Sequence, residues 1–344
     1  MLFTGTPAGH ARPSGGRVSV LRRVALGFPL TWSHRRAYGL ESIADPGSSP
    51  YFIEWDPGNG VYGEDWTGAP RDSSGVLLSG PERYYHAIRI AQFALHRFGV
   101  WHRSGDLEAR TDVLVQAAWL RDCQQNDGIP GTYRFAFPWH KYGAGVGWTS
   151  AMAQGEAISV LLRAHGMQKG AGFDAAALRA AEPFRAGIDR GGVVWQSGED
   201  VFFEEIANRH APHVLNGCIY ALWGIWELWK LTGKPWLGEL VEQCVGTLRR
   251  WLPRFDTGWW TLYSLLRSST RRPHVATLKY HEFHIAQMHV LFKMFDEPAF
   301  GDAALRWTAY TEMRASRRRL LGEAFGSLPE RFFKLDTVAG GAAT

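Results

Sequence analysis

The chain has 344 residues, which is enough to bury a sizeable core in one large domain or two small ones. Its composition is ordinary for a globular protein and excludes wholesale disorder, although 16 Trp and 13% aromatic residues are unusual. The net charge of +5 suits a polyanionic ligand. No nucleic-acid motif accompanies the basic residues, so we expect no nucleic-acid partner.

The cysteines and the N-terminal sequence indicate the cellular compartment that we expect for the protein. The three cysteines form neither a closely spaced metal motif nor a disulfide framework, which fits a reducing environment. The best apolar stretch near the N-terminus, residues 18–32, is interrupted by Arg22 and Arg23. It is too short and too charged for a signal-peptide core or a membrane span. We therefore expect a cytoplasmic protein without membrane insertion.

The chain changes character after Pro81. Residues 1–80 are rich in Gly, Pro and Ser, with strand-like aromatic pieces such as residues 51–55, and predict an irregular arm with a little β structure. Apolar residues then recur at helical spacing as far as about residue 320, which predicts one helical domain and a tail over 321–344. The predicted helices cover about 82–99, 107–125, 149–166, 174–187, 212–231, 235–252, 279–295 and 299–315.

The connections between the predicted helices repeat. Turn glycines at Gly128, Gly192 and Gly258 are spaced by about 65 residues, and each precedes the next helix by about 20. This pattern predicts a mainly α fold, an (α/α) toroid of about four helical hairpins with short β excursions on one rim. Loops held on a rigid scaffold commonly carry function, so we expect the site on that rim.

Four segments carry a family resemblance. Residues 148–164 read WTSAMAQGEAISVLLRA, residues 214–217 read VLNG, residues 280–287 read YHEFHIAQ, and residues 90–95 read IAQFAL. In the order in which they occur along the chain, they resemble the helical catalytic domain of the D-glucuronyl C5-epimerase family. The long Met-Ala-Gln-Gly segment is the most specific of the four.

The resemblance implies inversion of C5 in uronic acid residues of a polysaccharide. The C5 hydrogen lies beside the carboxylate, so its removal creates an enolate-like dianion that needs a base, an acid and groups that stabilise charge. The family's tyrosines and glutamate correspond here to Tyr263, Tyr280 and Glu205 as catalytic candidates. Glu204 and Glu205 are adjacent, so in an extended segment only one of them can face the cavity.

The chain departs from the family pattern at several positions. The tyrosine that follows the paired glutamates is Ile206 here, and Ala207 and Asn208 replace the next Pro-Thr. Ser264 stands where the family has an aspartate, and the arginine of that segment is displaced to Arg267. These changes leave open another substrate, a rearranged base or the loss of epimerase activity.

Further residues are expected to bind substrate. Tyr133 follows Gly128 at the interval by which Tyr263 follows Gly258, so it is expected to face the same cavity. His281 and His284 share a helical face, but their spacing is not that of the HExxH zinc motif, and we expect neither a metal nor a cofactor. The predicted substrate-binding residues are Tyr84, Tyr133, Trp148, Gln154, Arg163, Asn216, Arg267, His281 and His284.

The sequence thus favours an isomerase that interconverts glucuronate and iduronate within an acidic polysaccharide or oligosaccharide, such as a heparosan-like glycan. A polysaccharide lyase shares the first proton abstraction, and a catalytically altered glycan-binding protein would explain Ile206. A glycoside hydrolase is disfavoured because no second acid is evident to pair with Glu205. A homodimer is compatible with the sequence.

Overall fold

The computed structural model describes residues 40–55, 65–266, 273–316 and 318–320, and every element named below belongs to one compact unit over residues 35–316. That unit is mainly helical. No helix within the described ranges is long and apolar enough to cross a membrane. Apart from a single helical turn at Glu41–Ala44, its α-helices are α1 (Ala87–Ser104), α2 (Leu107–Asp122), α3 (Ala151–Met167), α4 (Phe173–Ala181), α5 (Leu215–Thr232), α6 (Pro235–Trp251), α7 (Leu278–Phe295) and α8 (Pro298–Glu312).

The helix ends follow local chemistry. Gly233 ends α5 with φ of 65°, in the left-handed region that glycine adopts without strain, and Pro235 opens α6, as the sequence predicts. The start predicted for α1 at residue 82 is wrong, because a backbone bridge between Ser79 and Tyr84 occupies that segment. Helix α4 ends before its predicted limit, since Pro183 has no N–H to continue it and a 3-10 turn follows.

The eight helices form four consecutive hairpins: α1 with α2, α3 with α4, α5 with α6, and α7 with α8. The first helices of the hairpins pack side by side in chain order, so that α3 lies between α1 and α5, and α5 lies between α3 and α7. Helices α3 and α5 approach closely at Gly155, where an added Cβ would lie 2.5 Å from the Cα of Ala221. The mainly α class and the four-hairpin arrangement are confirmed.

Three excursions connect the hairpins, over residues 123–150, 182–214 and 252–277. They contain two antiparallel ribbons, with Val194 opposite Phe203 in one and Leu262 opposite Val275 in the other. The strands are β1 (Val194–Ser197), β2 (Asp200–Phe203), β3 (Leu262–Ser264) and β4 (His274–Val275). The 3-10 turns lie at His140–Tyr142, Glu182–Arg185, Ile188–Arg190 and Leu252–Phe255.

Backbone hydrogen bonds join the three excursions to one another. The N–H of Ala207 donates to the carbonyl of Thr149 at 3.0 Å, which joins the first and second excursions. The N–H of Leu265 donates to the carbonyl of Pro212 at 3.0 Å, which joins the second and third. Side chains from three distant parts of the sequence are therefore held at fixed positions relative to one another.

Residues 51–55 do not form the strand-like piece that their sequence indicated. They are irregular, and Tyr51, Phe52 and Trp55 are all buried, so the side chains do not alternate between core and solvent as strand residues do. Their rings pack against Tyr220 and Trp223 of α5. Tertiary packing of large aromatic rings holds this segment in place of sheet pairing.

A buried ion pair between α3 and α5 also holds the segment just before residues 51–55. The guanidinium of Arg163 in α3 donates to both carboxylate oxygens of Glu227 in α5, at 2.8 and 3.1 Å, and both side chains have no exposed surface. Arg163 also donates to the carbonyls of Ser49 and Ser159 and to the hydroxyl of Ser42. These bonds compensate for the removal of both charges from water.

Replacing Arg163 by alanine should lower the free energy of unfolding by about 3–5 kcal/mol, because Glu227 would remain buried without its partner. Chemical denaturation measures this change. The control is Arg249→Ala, which breaks an exposed pair with Glu297 and should cost at most about 1 kcal/mol. Equal, small effects of the two substitutions would contradict the structural role of Arg163.

Candidate active site

Glu205 follows β2 in the second excursion and is buried. Its side chain packs against Gly217 in the first turn of α5, where an added Cβ would lie 2.5 Å from the Cβ of Glu205. Glu204 is directed elsewhere. Its carboxylate is paired with the imidazole of His213 and also accepts a hydrogen bond from the backbone N–H of His213 at 3.1 Å. The two adjacent glutamates therefore have different partners, and Glu205 is the one beside the tyrosines.

Tyr263 and Tyr280 meet at Glu205. The hydroxyl of Tyr263, on β3, donates to Oε1 of Glu205 at 3.4 Å. The ring of Tyr280, in the first turn of α7, packs edge-on against Tyr263 with centroids 4.6 Å apart. Tyr263 is 7% exposed, whereas Tyr280 is half-buried, so this cluster is reached from the Tyr280 side. The structure thus brings together the three predicted catalytic residues.

The first excursion adds two residues to this cluster. Tyr142 is buried, and its ring centroid lies 6.5 Å from that of His274. Lys141 is exposed, with Nζ 5.2 Å from the ring centroid of Tyr142 and 5.9 Å from that of Tyr263. His274 of β4 lies 3.0 Å from Lys141 Nζ through Nε2 and packs against the Tyr263 ring at 4.9 Å.

Burial controls the protonation of these groups. Desolvation raises the pKa of Glu205 to about 8; the hydrogen bond from Tyr263 and the charge of Lys141 oppose the rise. Desolvation, together with the charge of Glu205, also raises the pKa of Tyr263 well above its ordinary value. The site therefore holds a carboxyl group that titrates near neutral pH beside phenols that keep their protons.

This arrangement suits proton transfer to and from carbon. A carboxylate with a pKa near 8 is a stronger base than an ordinary glutamate and still ionises near neutral pH. A phenol that remains protonated can return a proton or donate a hydrogen bond to a developing oxyanion. The exposed ammonium of Lys141 adds a positive charge beside the tyrosines.

The two histidines of α7 have structural partners. Nδ1 of His281 and Nδ1 of His284 both lie 2.9 Å from the hydroxyl of Thr261, and the His281 ring stacks on Trp260 at 3.7 Å. Burial lowers the pKa of His281 to about 3 and that of His284 well below its usual value, so both rings are neutral. Through Thr261 they fix the strand that carries Tyr263.

Trp148 and Tyr84 lie around the first excursion. The indole N–H of Trp148 donates to the carbonyl of Phe137 at 2.9 Å, and its ring packs against Trp139 at 5.3 Å, one residue from the 3-10 turn that holds Lys141. Tyr84 contacts the Phe137 ring at 4.2 Å. Their substrate contacts stay predictions.

Asn216 is the remaining predicted binding residue beside the cluster. It lies in the first turn of α5, next to the glycine that packs on Glu205, and is buried. Its side-chain oxygen has no hydrogen-bond partner among the described residues. Arg267 falls outside the described residues.

Three other predicted binding residues are not brought to the cluster. The hydroxyl of Tyr133 donates to the carbonyl of Leu120, and Gln154 bonds the backbone of Gly131, Tyr133 and Ala180. The third is Arg163, whose donors are taken up by the buried network described above. Gln154 therefore holds the start of the first excursion against α3.

Sequence reasoning missed Lys141, Tyr142 and His274. Lys141 lies more than 120 residues before Tyr263, so its position in the sequence does not indicate that the two side chains are close. The usable signal was a basic residue and a tyrosine directly before Gly143, within an excursion already expected to reach the rim.

A large cavity of about 1060 Å³ lies elsewhere, between the 3-10 turns after α4, the β1–β2 ribbon and α6. Arg185, Trp195 and Trp236 are among its lining residues, and none of the tyrosines or glutamates described above is. The cavity lining also contains carboxylates and arginines, among them Asp189 and Glu239. We nevertheless place the candidate active site at the Glu205 cluster, because there a buried carboxyl group with a raised pKa lies beside tyrosine side chains.

Comparison with known protein families identifies the family of the chain. The family model described as the D-glucuronyl C5-epimerase C-terminus matches residues 126–309, more than half of the chain. The chain belongs to this family. The match begins in the first excursion and ends in α8, so it includes every residue of the Glu205 cluster.

Individual relatives differ in length from this member of the C5-epimerase family. The D-glucuronyl C5-epimerase of Caenorhabditis elegans is 30% identical over 177 residues, 48% of this chain and 29% of the nematode protein. An uncharacterized protein of Methanocaldococcus jannaschii is 25% identical over 179 residues, 51% of this chain and 56% of the archaeal one. The chain therefore spans less than two thirds of either relative.

Among solved structures, cellobiose 2-epimerase from Spirochaeta thermophila is similar with a TM-score of 0.46 and 16% identity. The similarity covers 65% of this chain and 56% of that structure.

Replacing Glu205 by glutamine should stabilise the protein at alkaline pH. The folded protein keeps a proton that the unfolded chain releases between the ordinary glutamate pKa of 4.5 and about 8, so the free energy of unfolding falls as pH rises through this window. Glutamine removes that fall. Melting temperatures of variant and wild type at pH 5 and pH 9 measure the effect, with the exposed Glu239→Gln as control. A difference between wild type and variant that is the same at both pH values would contradict the buried carboxyl.

Proposed function

We propose that this protein is a carbohydrate epimerase that inverts C5 of hexuronate residues in an acidic polysaccharide or oligosaccharide. The observation that carries the proposal is the convergence of Tyr263, Tyr280 and Glu205, from β3, α7 and the second excursion, on one half-open cluster. Family membership and the similarity to the D-glucuronyl C5-epimerase of the nematode support the same reaction.

Glu205 is the proposed base. A hydrogen on a carbon next to a carboxylate is weakly acidic, so the base must be strong and yet partly ionised under working conditions. Burial gives Glu205 that property by raising its pKa to about 8. The proton moves from C5 to a carboxylate oxygen, and the bonding electrons pass into the substrate carboxylate as an enediolate.

The phenols supply the proposed acid. Tyr263 keeps its proton because burial disfavours the phenolate, and Tyr280 lies against it at the open side of the cluster. One of these hydroxyls returns a proton to C5 from the opposite face of the sugar, which inverts the centre. Their hydrogen bonds also stabilise the enediolate charge.

Lys141 is the proposed receptor for the substrate carboxylate. Its Nζ lies within 6 Å of the ring centroids of both Tyr142 and Tyr263, at an exposed position. An ammonium group there would offset the second negative charge that develops on the carboxylate after proton removal. This placement favours a uronic acid over a neutral sugar.

The reaction is tested by incubating the protein with heparosan and other glucuronate polymers in heavy water. We expect NMR to detect deuterium at C5 and new iduronate signals, and Glu205→Gln and Tyr263→Phe should each lower the exchange rate by roughly 100-fold or more, since each removes a proton-transfer group. The matched controls are Glu239→Gln, on the exposed face of α6, and Tyr310→Phe, whose hydroxyl bonds Asp256.

The alternatives give different products. Unsaturated sugars that absorb in the ultraviolet would indicate a lyase instead. Binding of a glucuronate polymer by folded wild-type protein, with neither exchange nor cleavage, would indicate a glycan-binding protein and reject the epimerase proposal.

Replacing Lys141 by methionine should raise KM for the uronate polymer by about tenfold or more, because a charged hydrogen bond to the substrate contributes about 1.5–3 kcal/mol. Lys141→Arg should retain part of the affinity. Steady-state kinetics of C5 exchange measure KM, and Lys234→Met, at an exposed position next to α6, is the control. An unchanged KM in Lys141→Met would remove Lys141 from substrate recognition.

A further inference from the structure

The segment that links Glu205 to α5 has an unusual backbone. Ala211 and His213 have φ of 38° and 49°, in the left-handed region that residues with a Cβ seldom adopt. Such a conformation is strained and persists only where the surrounding structure holds it. The contacts of His213 must therefore compensate for the strain of its backbone.

Glu204 contacts His213 in two ways. Its Oε2 accepts the backbone N–H of His213 at 3.1 Å, and its Oε1 is paired with Nδ1 of the imidazole. Glu204 is fully buried, and His213 is 9% exposed. Because one carboxylate group contacts both the backbone and the side chain of His213, it opposes a change in the conformation of this residue.

Three aromatic rings surround the imidazole of His213. Trp195, Phe202 and Trp251 each meet it edge-on, with ring centroids 4.8, 5.1 and 5.1 Å from that of the imidazole. These rings come from β1, β2 and the end of α6. The imidazole is thus held between the ribbon of the second excursion and the helix that follows α5.

The third excursion is attached to the same strained segment. The N–H of Leu265 donates to the carbonyl of His213 at 3.3 Å, in addition to its bond to the preceding residue. Val214 pairs with Ser264 as an antiparallel bridge. Tyr263 directly precedes Ser264, so the backbone that carries this tyrosine depends on the conformation of His213.

The proposed base is supported from the same segment. The side chain of Glu205 packs against Gly217 in the first turn of α5, four residues after His213. Glu205 also follows Glu204 directly in the chain. The hydrogen bond between Tyr263 and Glu205, 3.4 Å long, is therefore supported at both of its ends by short stretches of backbone that leave the contact between Glu204 and His213.

We infer that Glu204 and His213 form a positioning pair for the proton-transfer site. The pair sets the distance between the hydroxyl of Tyr263 and the carboxyl group of Glu205. The inference rests on the proposed epimerase function. Without the pair, the left-handed backbone at His213 relaxes, and β3 and the first turn of α5 shift with it. Neither member of the pair contacts the sugar, since both act through the backbone.

The test measures kcat and KM for C5 exchange on heparosan with His213→Asn, Glu204→Gln and the double variant, in the full chain. Asparagine tolerates the left-handed backbone, so His213→Asn removes the imidazole without adding backbone strain. Each single substitution should lower kcat by about tenfold or more, with KM within about twofold of wild type, because a displacement of about 1 Å can cost about 100-fold in rate. The double variant should be about as slow as the slower single variant, since the two side chains act as one unit.

His165→Asn is the matched control, because it removes an imidazole that lies 3.7 Å from the carboxylate of Asp174, near the end of α3, and it should leave kcat unchanged. Denaturation curves give the folded fraction, so that kcat is expressed per folded molecule; a purely structural role would lower the melting temperature and leave this kcat unchanged. Such a result in both single variants, or a loss that appears only in KM, would overturn the inference while leaving the epimerase proposal intact. Independent, multiplicative effects of the two substitutions would overturn the action of the two residues as a pair. Wild-type protein inactive on every glucuronate polymer would reject both the inference and the proposed function.

Discussion

The burial of the Glu205 carboxyl group is the constraint on which the rest of the site depends. Removing a carboxylate from water is costly, and the protein compensates only in part, with one hydrogen bond from Tyr263 and the charge of Lys141 at a distance. The group therefore keeps its proton to about pH 8. The hairpins make this burial possible, because the close packing of α5 on the second excursion needs a glycine at position 217.

Much of the fold could be predicted from the sequence because the hairpins are amphipathic and their ends carry local signals. Gly233 ends α5 in the left-handed conformation that glycine allows, and Pro235 begins α6, where its missing N–H is not needed. The failures arose where tertiary contacts override local preference. Residues 51–55 have strand-forming side chains but pack against aromatic rings of α5, and residues 82–84 belong to a turn closed by a backbone bridge.

The candidate site was predictable in part, for a different reason. Tyr263, Tyr280 and Glu205 were identified because their segments resemble a family, and the structure brings them together. Tyr142 and Lys141 lie outside those segments, and they reach the cluster through contacts between excursions that are far apart in sequence. The repeat argument selected Tyr133 from the first excursion, but its hydroxyl is occupied by the Leu120 carbonyl. Repetition of the backbone therefore did not extend to the direction of side chains.

The raised pKa of Glu205 also affects how an anionic chain would enter the site. Near pH 7 most molecules hold this carboxyl group uncharged, while the exposed ammonium of Lys141 lies within 6 Å of the Tyr263 ring centroid. An arriving polyanion would then meet an attractive potential, free of the repulsion that an ordinary ionised glutamate would exert. The same burial that would strengthen Glu205 as a base thus removes a like charge from the path of the polyanion, while only the ionised minority of molecules could accept a proton from carbon.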